Sequence, residues 1–478
     1  MAASSGMDLT QGSITRNLVK LSLPIMASNF MQTFYDLANA FWLGRLGEHA
    51  RDAVSAAGIT FPILFFLSSF GFGFVIAGTA LVARYKGARE PEKIKKTIGQ
   101  LIFILVVFTV VFLSFSLGYI NQILRILHTP PEIFALSRGY LRIILIGAVF
   151  MFIFIFYQSI SQGLGDTVTP MKAQITAVVL NVILDPVLIF GLLSVPRFET
   201  IGAAYATLIA RALAASIALV SFKRRYKDLI PSMADIAPKW DLIKTILKVS
   251  IPASLSLSTT SFGFVFLQGF VNSYGTVAIS INSIGGRMTN IFMMPAMGIS
   301  SGLAAVVGQN LGAKNIPRAE KSIWRAFSLI TPIMGIGCLL IFFFAAQLTH
   351  FFIDDPEVIE AGKRMFKLTA YASFIFGILF VFNGVFNGAG DTRTTMKLDM
   401  TRLWLIRIPL VYILSGKLLE YSFFSSGRIS SFMHVVSKPL SAFPYDSLWW
   451  SMVISNLIST AWAILIFRSG RWKKIKIG

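Results

Sequence analysis

The chain has 478 residues, of which 55% are hydrophobic and only 14% charged, with a mean hydropathy of +0.70. A soluble domain carries about 25% charged residues, so most of this surface must meet lipid. The excess of 43 Lys and Arg over 22 Asp and Glu, net +21, would suggest nucleic acid in a soluble protein, but no separate polar domain exists here to carry such a partner.

The first 13 residues are polar and lead into a span too long for a signal-peptide core. Apolar stretches of about 20 residues or more then follow at 17–43, 54–83, 97–119, 134–162, 169–193 and 200–222. Six more lie at 242–272, 277–307, 322–346, 359–386, 395–417 and 446–467. The pattern predicts an all-α integral membrane protein of twelve transmembrane helices. Span length and number exclude a soluble bundle, and continuous apolar runs without period-2 alternation exclude a β-barrel.

Basic residues set the sidedness. Six Lys or Arg lie in 84–96; Lys223, Arg224, Arg225, Lys227 and Lys239 lie in the central linker. Lys314, Arg318 and Lys321 and the tail residues Arg468, Arg471, Lys473, Lys474 and Lys476 follow. In a twelve-span chain all of these fall on one side, which is expected to be cytoplasmic, with both termini inside a cell-membrane protein. The opposite loops are poor in Lys and Arg. The outer loop at about 418–445 is long and has no counterpart in the first half.

The chain repeats itself. Gly163-Leu-Gly-Asp-Thr-Val-Thr-Pro-Met171 returns as Gly388-Ala-Gly-Asp-Thr-Arg-Thr-Thr-Met396, an offset of 225. Gly87-Ala88 answers Gly312-Ala313 at the same offset, and Leu18-Val-Lys-Leu-Ser-Leu-Pro24 answers Ile246-Leu-Lys-Val-Ser-Ile-Pro252 at 228. Because six spans is an even number, both halves enter from the same face. The repeats are therefore parallel, related by a pseudo-two-fold axis along the membrane normal, a construction of secondary transporters. The expected organisation is a first lobe at 1–222, a cytoplasmic linker at 223–241 and a second lobe at 242–478.

Ionisable residues inside a span are costly and are functional candidates by default. Asp36 lies late in span 1 and Asp185 late in span 5. Asn181 and Asp185 are four apart and share a helix face; Asp36 and Asn39, three apart, can share one too. Thr207 in span 6 adds a hydroxyl. Pro186 and Pro24 each free a backbone carbonyl, of Val182 and of Lys20, and such groups are tolerated where they face a polar cavity or a cation. The carboxylates suit proton exchange, and the oxygens of Asp36, Asn181 and Asp185 also suit Na⁺. The alternative is a structural hydrogen-bond network. The second half has no acid deep in a span; Asp399, near the start of span 11, is three residues from Arg402, the spacing of a local ion pair. Arg287, Arg407 and Arg211 either line a cleft and meet an anionic group or bond backbone carbonyls.

The duplicated Gly-x-Gly-Asp-Thr loops read as turns and helix caps. No phosphate-binding Gly-x-x-x-x-Gly-Lys loop is present, so ATP is not the energy source and no cofactor is expected. The four histidines are scattered without metal-ligand spacing, and no nucleophile–base pattern suggests an enzyme. The only cysteine is Cys338, so no intrachain disulfide forms.

With these features in hand the chain resembles the multidrug and toxic compound extrusion (MATE) family over essentially its full length. The residues that carry the resemblance are Gly44-Arg-Leu-Gly47, the Gly-Ala pairs at 87–88 and 312–313, both Gly-Asp-Thr loops, Leu180-Asn-Val-Ile-Leu-Asp-Pro186, and Trp449-Trp450 with Gly470-Arg-Trp472. The resemblance implies cation-coupled export, by H⁺ or Na⁺, of small organic, often cationic and aromatic compounds, by a chain working as a monomer. The lack of deep acids in the second half is similar to the DinF-like branch. Asp185 and Asn181 match the family's span-5 pair, and Tyr35 its span-1 tyrosine. Span 1 departs from the branch pattern: its aspartate and asparagine stand exchanged, as Asp36 and Asn39. Gln158 stands where the family has a span-4 asparagine, and Asn383 holds the equivalent place in the second half. A lipid-linked saccharide flippase of the same superfamily is the competing expectation, favoured by Arg287 and Arg407.

Overall fold

The computed structural model describes residues 6–192, 194–416 and 444–475. Every predicted span is helical, and no strand occurs among the described residues. Spans 1–6 are Ile14–Leu43, Ala50–Gly87, Pro91–Gly118, Pro131–Gly163, Val168–Phe190 and Glu199–Arg225. Spans 7–10 are Trp240–Asn272, Gly275–Gly312, Ile316–Phe343 and Pro356–Ala389, and span 12 is Ser447–Arg468. Span 11 covers 392–414 but is not one regular helix: Thr392–Met400 is α-helical, Thr401–Arg407 is a π-helix, and Ile408–Leu414 is α-helical again. Among the described residues nine of these helices are long and apolar enough to cross a bilayer; spans 1, 2 and 11 complete the twelve by sequence position. The outer loop singled out at about 418–445 lies outside the described residues except at its last two positions.

Several helices run beyond their apolar stretches because a helix satisfies its own backbone in water as well as in lipid. Span 10 starts at Pro356, where Asp355 accepts from the amides of Glu357 and Val358. Its first turn carries Glu357, which lies ahead of the apolar stretch at 359–386. The central linker is also ordered. Ser232 and Asp235 form a capping box around Met233–Ile236. Gln100 of span 3 pins that turn by donating to the carbonyls of Asp235 (2.6 Å) and Ala237 (2.8 Å).

The repeat reappears as reciprocal packing. Gly87 of span 2 lies against the backbone carbonyl of Gln309 in span 8, and Gly312 lies against that of Arg84. These are the same contact read twice, since 84 and 87 map to 309 and 312. Gly73 of span 2 meets Ser254 of span 7, and Gly298 of span 8 meets Met26 of span 1. Each half therefore presses its second helix against the first helix of the other half. Glycine is required there because a Cβ would enter the neighbouring helix.

The Gly-Asp-Thr loops do equivalent work in both halves. Asp166 accepts from the amide and hydroxyl of Thr169 (3.0 and 2.7 Å), and Asp391 accepts from those of Thr394 (3.3 and 2.7 Å). Thr167 reaches the Lys20 carbonyl at 3.5 Å, the limit of hydrogen bonding, and Thr392 donates to the Val249 carbonyl at 2.7 Å. The carbonyl freed by Pro24 is thus approached by a loop threonine.

The polar N-terminal residues, unassigned from sequence, form a strap across the two halves. Leu9 is fully buried; its amide donates to Gln309 Oε1 (2.9 Å) and its carbonyl accepts from Asn310 and Arg318 (3.3 Å each). Gln309 also donates to the Gly163 carbonyl at 3.0 Å, so one side chain joins strap, first-half loop and second-half helix. The equivalent position, Arg84, donates to the Ile475 carbonyl of the C-terminal tail at 2.6 Å. These contacts close the molecule at the end where both described termini lie.

Candidate functional site

A polar cluster sits inside the first lobe where spans 1, 4, 5 and 6 meet. Asp185 and Asn181 lie one turn apart on span 5 and are both 0% exposed. In the orientation that satisfies both ends of its amide, Asn181 donates to Asp185 Oδ2 at 3.1 Å and accepts from the Thr207 amide at 3.2 Å. Tyr35 Oη lies 2.7 Å from Thr207 Oγ1, which ties span 1 to span 6. Arg211, one turn beyond Thr207, is half-buried, and its Nη1 is buried without a hydrogen-bond partner. The Arg211 charge lies within electrostatic reach of both Tyr35 and Asp36.

Sequence reasoning missed one member. Tyr140 of span 4 is 3% exposed and its hydroxyl faces the Asn39 side chain. An isolated tyrosine in an apolar run reads as core, and its partner is a hundred residues away, so no local pattern marks it. Asn39 Oδ1 is buried with no partner, which leaves an acceptor turned into the cluster.

The structure therefore brings together Tyr35, Asn39, Asn181, Asp185 and Thr207. It does not bring Asp36 into the same contacts. Asp36 is exposed and accepts from Gln32 at 3.2 Å; Gln32 in turn accepts from Gln174 of span 5 at 2.9 Å. The exchange of aspartate and asparagine in span 1 thus turns the amide inward and the carboxylate outward. Gln158 is half-buried and stands 18 residues along span 4 from Tyr140, roughly 27 Å on a regular helix. Arg287 is exposed and forms no ion pair among the described residues.

A second buried network occupies the second lobe. Asp399 and Arg402 approach to 4.0 Å, as their spacing suggested, but the closer partners come from other helices. Ser256 of span 7 donates to Asp399 at 2.8 Å, and the Asn383 side chain of span 10 faces the same carboxylate. Arg402 donates to Asn456 Oδ1 of span 12 (3.3 Å) and lies over the Phe376 ring at 4.4 Å. Asn456 completes the set by donating to the Ala372 carbonyl at 2.9 Å. The local ion pair is present and is part of a wider network in which Asp399 and Arg402 tie spans 7, 10, 11 and 12. No group of three or more His, Cys, Asp or Glu side chains is placed to hold a metal among the described residues.

With the geometry in view, comparison with known proteins is direct. The family model described as MatE matches residues 24–187 and 252–413, once in each half. The chain is 28% identical over 470 residues to the probable multidrug resistance protein YpnP of Bacillus subtilis, covering 98% of each chain. It is 26% identical to the probable multidrug resistance protein NorM of Thermotoga maritima, over 96% of this chain and 94% of that one. Among solved structures, a MATE in complex with MaL6 superposes with a TM-score of 0.85 at 22% identity, over 99% of this chain and 100% of the other. A MOP superfamily transporter from Pyrococcus furiosus, described by the reverse polarity of its binding pocket, superposes with a TM-score of 0.84 at 21% identity over the whole of both chains.

Proposed function

The chain belongs to the MatE family of membrane transporters, and from that premise we propose that it is a secondary multidrug exporter driven by a cation that loads at Asp185. The observation that carries this reading is a fully buried carboxylate whose hydrogen-bond partner in the cluster is a neutral amide. An uncompensated carboxylate buried in a span is unfavourable unless it takes up a proton or a cation. Proton exchange needs only that one group. Na⁺ would draw on the surrounding oxygens of Asn181, Tyr35, Thr207 and Asn39. Asp36, exposed on the same span, is assigned the role of feeding the cation in from the cleft side, and the Arg211 charge nearby favours release. The names of the relatives, multidrug resistance proteins in two bacteria, support organic compounds as cargo. The buried first-lobe acid also supports the DinF-like assignment.

In this reading the end bearing both termini is cytoplasmic, the chain divides into lobes at 1–222 and 242–478, and the exporter works as a monomer in the cell membrane. The structure is then the state closed to the cytoplasm. Vesicles containing the purified protein, given a pH or Na⁺ gradient and an ethidium probe, test the coupling. Wild type should accumulate ethidium against its gradient, and Asp185→Asn should not, because an amide of the same shape exchanges no proton. Accumulation by Asp185→Asn at the wild-type rate would remove Asp185 from the mechanism.

A further inference from the structure

Arg402 and Arg407 are 2% and 5% exposed, and together they outnumber the single carboxylate beside them. Arg402 is held by Asp399 and Asn456. Arg407 is not held: it pairs with no carboxylate and donates no hydrogen bond among the described residues, and its Nε is buried without a partner. Among the described residues its guanidinium lies over the ring of Phe264 on span 7, at 6.0 Å. A buried guanidinium without a counter-charge is strongly unfavourable, and charged residues inside a membrane pair with one another or with backbone carbonyls or mark a substrate pathway.

The backbone supports the same conclusion independently. Both arginines lie in the π-helical segment Thr401–Arg407. On an α-helix, residues five apart point about 140° away from each other. In a π-turn the backbone bonds from i to i+5, so residues five apart stack on one side. The irregular winding therefore gathers Arg402 and Arg407 on one face, and the two charges lie within electrostatic reach of each other. Two like charges brought together by an unusual backbone, with one acid to share, make a receptor for an anion.

We propose that the second lobe holds an oxyanion subsite at Arg407, backed by Arg402, that takes the carboxylate or phosphate group of an amphipathic molecule whose apolar body lies along Phe264. The proposal names a substrate class for the transporter above and rests on that reading for the claim that the occupant is carried. A guanidinium recognises a planar oxyanion through two parallel hydrogen bonds, so charge and shape are both read. The oxyanion can come from a soluble aromatic acid or from an anionic lipid headgroup.

The test uses the intact protein in nanodiscs of phosphatidylcholine alone. Naphthaleneacetate and its neutral isostere naphthaleneacetamide are titrated by equilibrium dialysis. The acid should bind about tenfold or more tightly than the amide, as expected for a charge-assisted bidentate contact. Arg407→Gln should bring the acid down to the level of the amide, and Arg407→Lys should retain part of the preference. Adding phosphatidylglycerol to the nanodiscs separates the sources: displacement of the acid identifies a lipid headgroup as the natural occupant, and no displacement identifies a soluble acid. Equal binding of acid and amide, no binding of either, or unchanged acid binding in Arg407→Gln with a wild-type melting temperature would each overturn the proposal. Asp185→Asn should leave acid binding intact, so failure of the coupling assignment and failure of the anion subsite give different results.

Discussion

The two lobes are built alike and charged oppositely. In the first, span 5 carries a single buried acid, Asp185, whose hydrogen-bond partner is the amide of Asn181. In the second, span 11 carries two buried arginines and one acid, gathered by a π-helical turn that span 5 lacks. The reciprocal glycine contacts show that duplication fixed the scaffold: Gly87 against Gln309 and Gly312 against Arg84 are one contact repeated. The lobes differ where side chains enter the interior and agree where backbones touch. Shape is thus shared while chemistry is divided, and the proposed reading gives the first lobe a cation and the second an anion.

The largest effect should come from breaking the shared part. Gly87→Val and Gly312→Val each place branched carbons against a backbone carbonyl of the opposite helix, which cannot move aside as a side chain would. Both variants should lose vesicle transport entirely, and by the same amount, because the positions are equivalent. Loss in one and full activity in the other would show that the interface is not symmetric in function.

Next in size is a test of the second-lobe network as a structural tie. Arg402→Met leaves Asp399 buried without its counter-charge, and removing one partner of a buried pair costs about 3–5 kcal/mol. The melting temperature in detergent should fall by several degrees. Asp185→Asn in the first lobe, which keeps its hydrogen-bonding shape, should leave the melting temperature within about a degree. If Asp185→Asn destabilises as much as Arg402→Met, both networks are structural and the contrast between lobes fails.

A smaller effect separates the two residues exchanged in span 1. Asp36 is exposed and bonded to Gln32, while Asn39 carries an orphan acceptor toward Tyr140. Asp36→Asn should slow ethidium uptake several-fold without abolishing it, and Asn39→Ala should impair it more. Initial rates at several external pH values measure both. Abolition by Asp36→Asn alone would make Asp36 the loading site in place of Asp185.

Much of this was legible in the sequence, for identifiable reasons. Twelve spans follow from hydropathy because lipid forces helices. The pseudo-two-fold follows from the echo of Gly163–Met171 at 388–396 because the duplicated loops still cap and clamp in the same way. Asp185 and Asn181 were legible because they sit one turn apart. What stayed hidden depends on contacts far apart in sequence or on backbone form. Tyr140 of span 4 meets Asn39 of span 1. Leu9, in a mostly polar segment, is buried because Gln309 and Asn310 receive its backbone. The face shared by Arg402 and Arg407 exists only in π-helical winding, which residue spacing read as α-helical cannot reveal. The outward turn of Asp36 likewise needed the packed position of span 1.

The smallest effect concerns the closed end, where a half-buried lysine of the first half sits beside the N-terminal strap. Lys86 extends span 2 beyond its apolar stretch and donates to the Leu164 carbonyl, with Asp8 of the strap and Asp166 of the first-half loop nearby. Burial pushes its ammonium group down to about 8, against the pull of the two aspartates. The sign follows from the charged form being the one that burial disfavours. Below about pH 8 the closed state must hold a charged amine, and the burial penalty is fully present. As pH rises through that value the closed state sheds the proton while an opened, solvated Lys86 keeps it until near the ordinary lysine value, so closure is increasingly favoured across that window. Spin labels at Glu92 and Lys321, both exposed in the first turns of spans 3 and 9, report the opening as a distance distribution in a Cys338→Ser background. The closed population should grow between about pH 8 and 10 in the otherwise native chain. Lys86→Met, which keeps the length and removes the titrating group, should flatten that dependence. An unchanged pH response in Lys86→Met would place the titration elsewhere at the interface and leave the glycine contacts as what sets the closed end.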